Sequence, residues 1–479
     1  MSLSRFARDN LPLISALVAI LMIVAFSRIL APTFAIGLVG MIVATIILFA
    51  ALIKKPENAL FLMAFFLPFE RIPSFEISGM SLKINHIVAL VALVALLTTG
   101  VVGGRKIKSD PILPIVLLFL ADIAFSVTYA LNTGRAVSVF LFMCLMTVAY
   151  FTAKSLINKK ADIVLILKGL LIGAAAAAFL GVYQFLGDMI GLPESVTLLK
   201  KGYGSITFGF ARVQGASQEP LYFANYIFIP LLISVSMLVS GKLREIIPRW
   251  AGILLIVLLS LNFILAISRG AFLAAAIIFV LFVIFRYKQL LTARVLIPTI
   301  ALVFIVVTGA YLGLARSEPR AMDEFIGHLF VNDAQVGESV VSRLSAIDQA
   351  TELFWDNPIL GIGIGNFGPA TQGDTAEVPE GGWFIVNNEY LELLAENGIV
   401  GFLIFVSLII TVTYYAIKAI RRGAGSMVAS SLEGSLLALY AILFQYLTFS
   451  TLYIFHLWFL IAFIVGQCAY ILDRSKNEI

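Results

Sequence analysis

Two arginines stand where a fixed charge is costly. Arg212, in FARVQGASQEPLYFANY over 210–226, precedes Glu219 and a long apolar run, and Arg269, in AISRGAFLA over 266–274, separates two apolar runs with scarcely any loop. A guanidinium keeps its proton and presents a planar fork that matches two phosphate oxygens at once. A single arginine at a lipid boundary is accounted for by snorkelling to headgroups. Two beside the longest polar segments suit a lipid-linked phosphate or pyrophosphate, and a charge so placed invites a functional reading.

A second pattern, GIGIGNFG over 361–368, contains a G-x-G-x-x-G match at Gly363, Gly365 and Gly368. A dinucleotide fingerprint needs a strand before it and a helix after it. Here SRLSAIDQATELFWDNP over 342–358 comes first, with Leu344, Ile347, Thr351 and Phe354 at helical spacing, Ser342 as a cap and Pro358 as a stop. The glycines are therefore expected to turn the chain tightly at a membrane surface. The stretch VNNEYLELLAENGIVGFLIF follows, over 386–405. Asn387 or Asn388 can cap a helix running through Leu391, Leu394 and Ala395, and Gly398 allows a break before the next apolar run.

The elements that must position these residues are membrane helices. Hydrophobic residues make up 61% of the 479 and charged residues only 13%, with a mean hydropathy of +1.01, against roughly 25% charged in soluble chains. Apolar runs long enough to cross a bilayer as helices fall near 11–30, 34–52, 58–69, 84–102, 111–130, 136–153, 162–187, 220–240, 250–267, 270–286, 295–315, 398–418, 430–449 and 451–472. The fold class is thus an all-α polytopic membrane protein of about 12 to 14 transmembrane helices. A large extracytoplasmic loop over 316–397 carries short helices. It divides the chain into residues 1–315, which also hold an outer loop near 188–219, the loop itself, and C-terminal helices over 398–479.

Basic residues set the orientation. Most, including Lys54, Lys55, Arg105, Lys159, Lys160, Arg421 and Arg422, fall on the side shared by both termini, which is then cytoplasmic. The first apolar run lacks a cleavage site and reads as a membrane helix. The net charge of +5 reflects this topology, with no basic cluster for nucleic acid. Cys144 and Cys468 lie within spans as packing residues, without metal-ligand company. Chemistry is expected on the outer face.

Taken together, RVQGASQEP, the S-R-G at Arg269, DNPILGIG and NNEYLELLAENGIVG resemble the O-antigen ligase and polysaccharide polymerase superfamily of bacterial inner-membrane proteins, over about 205–405. The first half of the chain shares only hydropathy with that family. The resemblance implies a metal-independent glycosyltransferase without cofactor, working on an undecaprenyl-pyrophosphate-linked glycan donor and a glycan or lipid-linked glycan acceptor in the bilayer. It implies that Arg212 and Arg269 engage the donor pyrophosphate and that Asn388 and Tyr390 match the N-x-Y of the loop signature. Arg343, Gly363 and Gly365 join them as substrate-binding candidates.

Asn387 stands where the ligases carry histidine. An amide cannot take a proton as an imidazole can, and His86, His328 and His456 lie outside the motif. Glu219 and Glu389 are the carboxylates best placed to act instead, ahead of Glu392, Asp374 and Glu380. The expectation is therefore an exopolysaccharide or O-antigen polymerase, with a ligase transferring glycan to lipid A core as the alternative. A transporter of lipid-linked sugars would use Asp122, Lys168 or Glu433 near the bilayer midplane, but no internal repeat supports it.

Overall fold

The computed structural model describes residues 34–71, 74–77, 80–103, 110–205, 211–290, 337–373, 378–379 and 382–477, with positions 13, 15–20 and 22. The span expected at 295–315, the loop at 316–336, His328, Asp374 and Glu380 lie outside the described residues.

Apolar runs become helices where a polar residue can satisfy the first amides. α1 (Phe34–Lys54), α2 (Asn58–Phe65), α3 (Ile84–Gly103) and α4 (Leu113–Ser126) lead to α5 (Thr133–Leu156), whose Asn132 side chain accepts from the Arg135 amide at 2.9 Å. α6 (Lys160–Met189) begins with the Asp162 carboxylate accepting from the Asn158 and Lys159 amides at 2.9 and 3.0 Å. One turn, α7 (Glu194–Thr197), precedes α8 (Pro220–Val239), α9 (Arg249–Leu265) and α10 (Arg269–Leu290). The C-terminal part holds α11 (Gly337–Asp356), α12 (Phe367–Gln372), α13 (Glu389–Arg422), α14 (Met427–Gln445) and α15 (Phe455–Asn477).

Among the described residues, six helices are long and apolar enough to cross a bilayer: Thr133–Leu156, Lys160–Met189, Pro220–Val239, Glu389–Arg422, Met427–Gln445 and Phe455–Asp473. Shorter apolar helices accompany them at Ile42–Lys54, Ile84–Thr99, Leu113–Ser126, Arg249–Leu265 and Arg269–Phe282. The chain is a multi-pass membrane protein. The run expected at 58–69 forms only the eight-residue α2, which packs on α6 through a small-residue pair: a Cβ on Gly173 would lie 2.9 Å from Phe65 Cα.

An all-helical reading does not extend to residues 74–83. β1 (Ser74–Ile77) and β2 (Met80–Lys83) form an antiparallel pair with Ser74 opposite Lys83 and Ile77 opposite Met80. Apolar Phe75, Ile77, Met80 and Leu82 recur at every second position within each strand, the period of a strand and not of a helix.

The centre of the bundle is α14 and α15. Their apolar stretches are mostly buried within the protein, whereas that of α13 is less so. α8 runs along α14. Trp458 of α15 is fully buried and its indole N–H donates to the Leu452 carbonyl at 2.8 Å, which removes the cost of enclosing that donor.

Candidate functional site

The segment carrying Arg212 is tied to the turn carrying Arg269. The Val213 amide donates to the Leu265 carbonyl at 3.2 Å, and Arg212 Nη2 donates to the Ile267 carbonyl at 2.9 Å. Ile267 itself takes a left-handed φ of 46°, which lets the chain leave α9 and enter α10 within three residues. The Arg212 amide donates to the Tyr203 carbonyl at 2.9 Å, and its guanidinium lies 5.8 Å from the centre of the Tyr203 ring. Lys200 Nζ lies 6.0 Å from the same ring centre and 3.1 Å from Glu219 Oε1.

The electrostatics show which charges share the space. Burial pushes the Tyr203 hydroxyl up to about 12, with the Glu219 charge acting in the same direction. Burial lowers Arg212 from the usual arginine value; Tyr203 and Glu219 oppose the shift, and the positive charges of Arg269 and Arg343 add to it. Arg212 and Arg269 are half-buried and Arg343, on α11, is exposed. Three guanidiniums within electrostatic reach of one another raise the energy of the empty arrangement. An anion among them lowers it.

The end of α14 joins this group to the second motif. Gly270 lies so close to Thr448 that a Cβ there would come within 2.9 Å of the Thr448 Cβ and overlap its hydroxyl. On the other side the Glu389 amide donates to the Tyr446 carbonyl at 2.9 Å, and the Tyr390 hydroxyl donates to the Leu443 carbonyl at 2.7 Å. Gly270, the neighbour of Arg269, and the start of α13 therefore rest on one strip, residues 443–448.

Within the motif, Asn388 is the cap: its side chain accepts from the Tyr390 and Leu391 amides at 3.1 and 3.2 Å. Asn387 has φ 57°, and its side chain donates to the Ile385 carbonyl at 3.4 Å. Glu389 is 4% exposed, and its Oε2 has no hydrogen-bond partner among the described residues. Glu392 accepts from the Val386 amide at 2.9 Å, which fixes the residue just before Asn387. The break expected at Gly398 is present, with φ 63° inside α13.

The glycine run encloses a carboxylate. Gly361, Gly363 and Gly365 have φ of 69°, 97° and 72°, and Glu396 accepts from the amides of Gly365 and Phe367 at 2.7 and 2.9 Å. An exposed nest of amides draws anions; in this one the acceptor is the protein's own Glu396 carboxyl group. α11 precedes the run, as the spacing suggested, but begins at Gly337, so Ser342 is inside the helix and is not its cap. The earlier residues already complete helical turns and carry its start past the serine.

Several partners had no local signal. Arg135 of α5 acts electrostatically on Glu392 and Glu396, and its Nη2 donates to the Tyr453 hydroxyl at 3.4 Å. Burial pushes Tyr453 up to about 12; Arg135 opposes this, and Glu392, Glu396 and Glu389 add to it. Arg135 looked like one more basic residue at a helix start, and Tyr453 like part of an apolar run. Glu396 lay within NNEYLELLAENGIVG without being singled out there.

Residues 254–406 match the family model described as O-Antigen ligase. This segment is an O-antigen ligase domain of the ligase and polymerase superfamily. The O-antigen ligase domain begins within α9 and ends in α13, so it contains Arg269, Arg343, the glycine run and Asn387 to Tyr390. Arg212, Glu219, Arg135 and the 443–448 strip reach the same site from outside the O-antigen ligase domain. No curated relative matches the chain.

Proposed function

We propose that the protein transfers a glycan from an undecaprenyl-pyrophosphate carrier to a second glycan on the extracytoplasmic face of a bacterial inner membrane, with both termini cytoplasmic. The observation that supports this most is that Arg212, bonded through its guanidinium to the Ile267 carbonyl two residues before Arg269, feels the positive charges of Arg269 and Arg343. A hydroxyl of the acceptor attacks sugar C1, the new C1–O bond forms, and the C1–O bond to pyrophosphate breaks. Negative charge then grows on the departing pyrophosphate, and fixed guanidiniums stabilise that charge more than the charge of the bound donor.

The acceptor proton passes to a carboxylate. Glu219, with its side chain 38% exposed, is the more accessible of the two leading candidates, while Glu389 is enclosed. Asn387 orients the hydroxyl as donor or acceptor, and Asn388 and Tyr390 hold the helix start that presents it. The absence of an imidazole at 387 favours polymerisation over transfer to lipid A core. Against transport, Asp122 accepts from Asn397 Nδ2 at 3.1 Å, a pin between helices.

Purified protein incubated with a lipid-linked oligosaccharide, without nucleotide or metal, separates these activities. Longer glycans on the same carrier are expected. Transfer to lipid A core would replace the polymerase with a ligase, and unchanged donor over folded protein would remove both.

A further inference from the structure

Beneath the arginine segment lies a chain of buried polar side chains that the proposed chemistry does not use. Gln445 Nε2 donates to the Leu221 carbonyl at 3.3 Å, Asn225 Nδ2 donates to Gln445 Oε1 at 2.9 Å, and His456 Nε2 lies 2.6 Å from Asn225 Oδ1. His456 Nδ1 lies 3.3 Å from Glu70 Oε1, an ion-pair contact in which neither atom has a hydrogen-bond partner among the described residues. All four residues are at most 1% exposed.

The carbonyl at one end fixes every orientation along the chain. A carbonyl only accepts, so Gln445 must present its amide nitrogen to Leu221 and its oxygen to Asn225. Asn225 then presents oxygen to the imidazole, and Nε2 must carry a hydrogen. The contact of Nδ1 with a carboxylate oxygen is favourable only if one further proton lies between them, on the ring or on Glu70. Lys83 and His86 also act electrostatically on Glu70 along with His456, and the hydroxyls of Tyr222 and Tyr446 feel its charge.

The same glutamate grips the site from its main chain. The Glu70 and Arg71 amides both donate to the Ala216 carbonyl, at 3.2 and 2.8 Å, and Gln218 Nε2 donates to the Glu70 carbonyl at 3.2 Å. Arg71 Nη2 donates to the Leu198 carbonyl. The dipeptide thus holds both ends of the segment that carries Lys200, Tyr203, Arg212 and Glu219. At the far end, Gln445 is the residue before Tyr446, where Glu389 is moored.

We propose that Glu70 and His456 are positioning residues, whose close contact and the hydrogen-bond chain beyond it hold the Arg212 segment in register with the 443–448 strip on which Gly270, the neighbour of Arg269, and the start of α13 rest. The kinetic part of this inference depends on the glycan-transfer reading; the geometric part does not. It also gives the loop after α2 and helix α15, both outside the matched O-antigen ligase domain, a part in the site.

The test uses the full chain in nanodiscs, with Cys144→Ala and Cys468→Ala and spin labels at Lys201→Cys and Phe384→Cys. Glu70→Leu breaks the contact, and Asn225→Ala breaks the chain in its middle should the first variant fail to fold. Glu70→Gln keeps it, since an amide nitrogen can donate to neutral Nδ1. The distance distribution is expected to move or broaden in Glu70→Leu and Asn225→Ala and to match wild type in Glu70→Gln. Transfer per folded molecule should fall roughly tenfold to a hundredfold in the breaking variants, with donor KM little changed, as expected for misplaced reacting groups.

Wild-type distances in the breaking variants, or a Glu70→Gln variant as impaired as Glu70→Leu, would overturn the inference. Wild-type protein that fails to transfer glycan would overturn the functional reading alone, and the distances would still decide this one.

Discussion

The Glu389 amide donates to the Tyr446 carbonyl at 2.9 Å, which moors the start of α13 to the end of α14. Two residues further on, Thr448 lies against Gly270, the neighbour of Arg269. A strip of main chain therefore sets how far the arginines stand from Asn387, and side chains far apart in sequence depend on it.

Gly270→Ala tests that strip. The new methyl overlaps the Thr448 side chain, so Arg269 must shift and transfer should fall steeply. Overpacking of this kind costs about 1–3 kcal/mol. Thr448→Gly in the same chain should restore much of the loss, as read by transfer rate and thermal unfolding. A Gly270→Ala protein with wild-type rate would show that the contact does not set the position of Arg269.

The arginines should separate by exposure. Arg212→Ala and Arg269→Ala are expected to reduce turnover by about a hundredfold or more while the protein stays folded. Arg269→Lys should recover little, because an ammonium cannot span two oxygens as the fork does. Arg343→Ala, at an exposed position, should weaken donor affinity more than rate. Steady-state rates against donor concentration report all three.

Glu396→Ala leaves the Gly365 and Phe367 amides without their acceptor, at a cost of roughly 3 kcal/mol. Thermal unfolding should shift down accordingly, and Glu396→Gln, which keeps one acceptor oxygen, should lie between. An unchanged unfolding curve for the alanine variant would mean that water replaces the carboxylate without loss.

Asn387 should accept histidine. Its φ of 57° belongs to a region that asparagine and histidine both enter, whereas Asn387→Val should cost about 1–2 kcal/mol. Asn387→His also adds a group titrating at about 6.5. If residue 387 touches the acceptor, the pH dependence of transfer should gain a limb there; an unchanged profile would place 387 away from the reacting hydroxyl.

What was legible in the sequence followed from local physics. Apolar runs marked many of the described helices, the Asn387–Asn388 pair and Gly398 marked the start and the break of α13, where Asn388 proves to be the cap, and the context before GIGIGNFG argued against a dinucleotide loop. The strand pair Ser74–Ile77 and Met80–Lys83 was missed because four-residue strands are short beside the surrounding helical runs. Arg135 with Tyr453 and Glu70 with His456 were missed for another reason. Their meaning lies in partners hundreds of positions away, as with the 231 positions between Asn225 and His456, and no periodicity carries that information.

The account rests on three guanidiniums meeting one pyrophosphate. Native mass spectrometry of the wild-type protein with undecaprenyl pyrophosphate and undecaprenyl monophosphate measures this directly. Clear preference for the pyrophosphate is predicted, and it should disappear in the Arg212→Ala, Arg269→Ala double variant. Equal binding of the two lipids by wild type, or a preference that survives both substitutions, would contradict it.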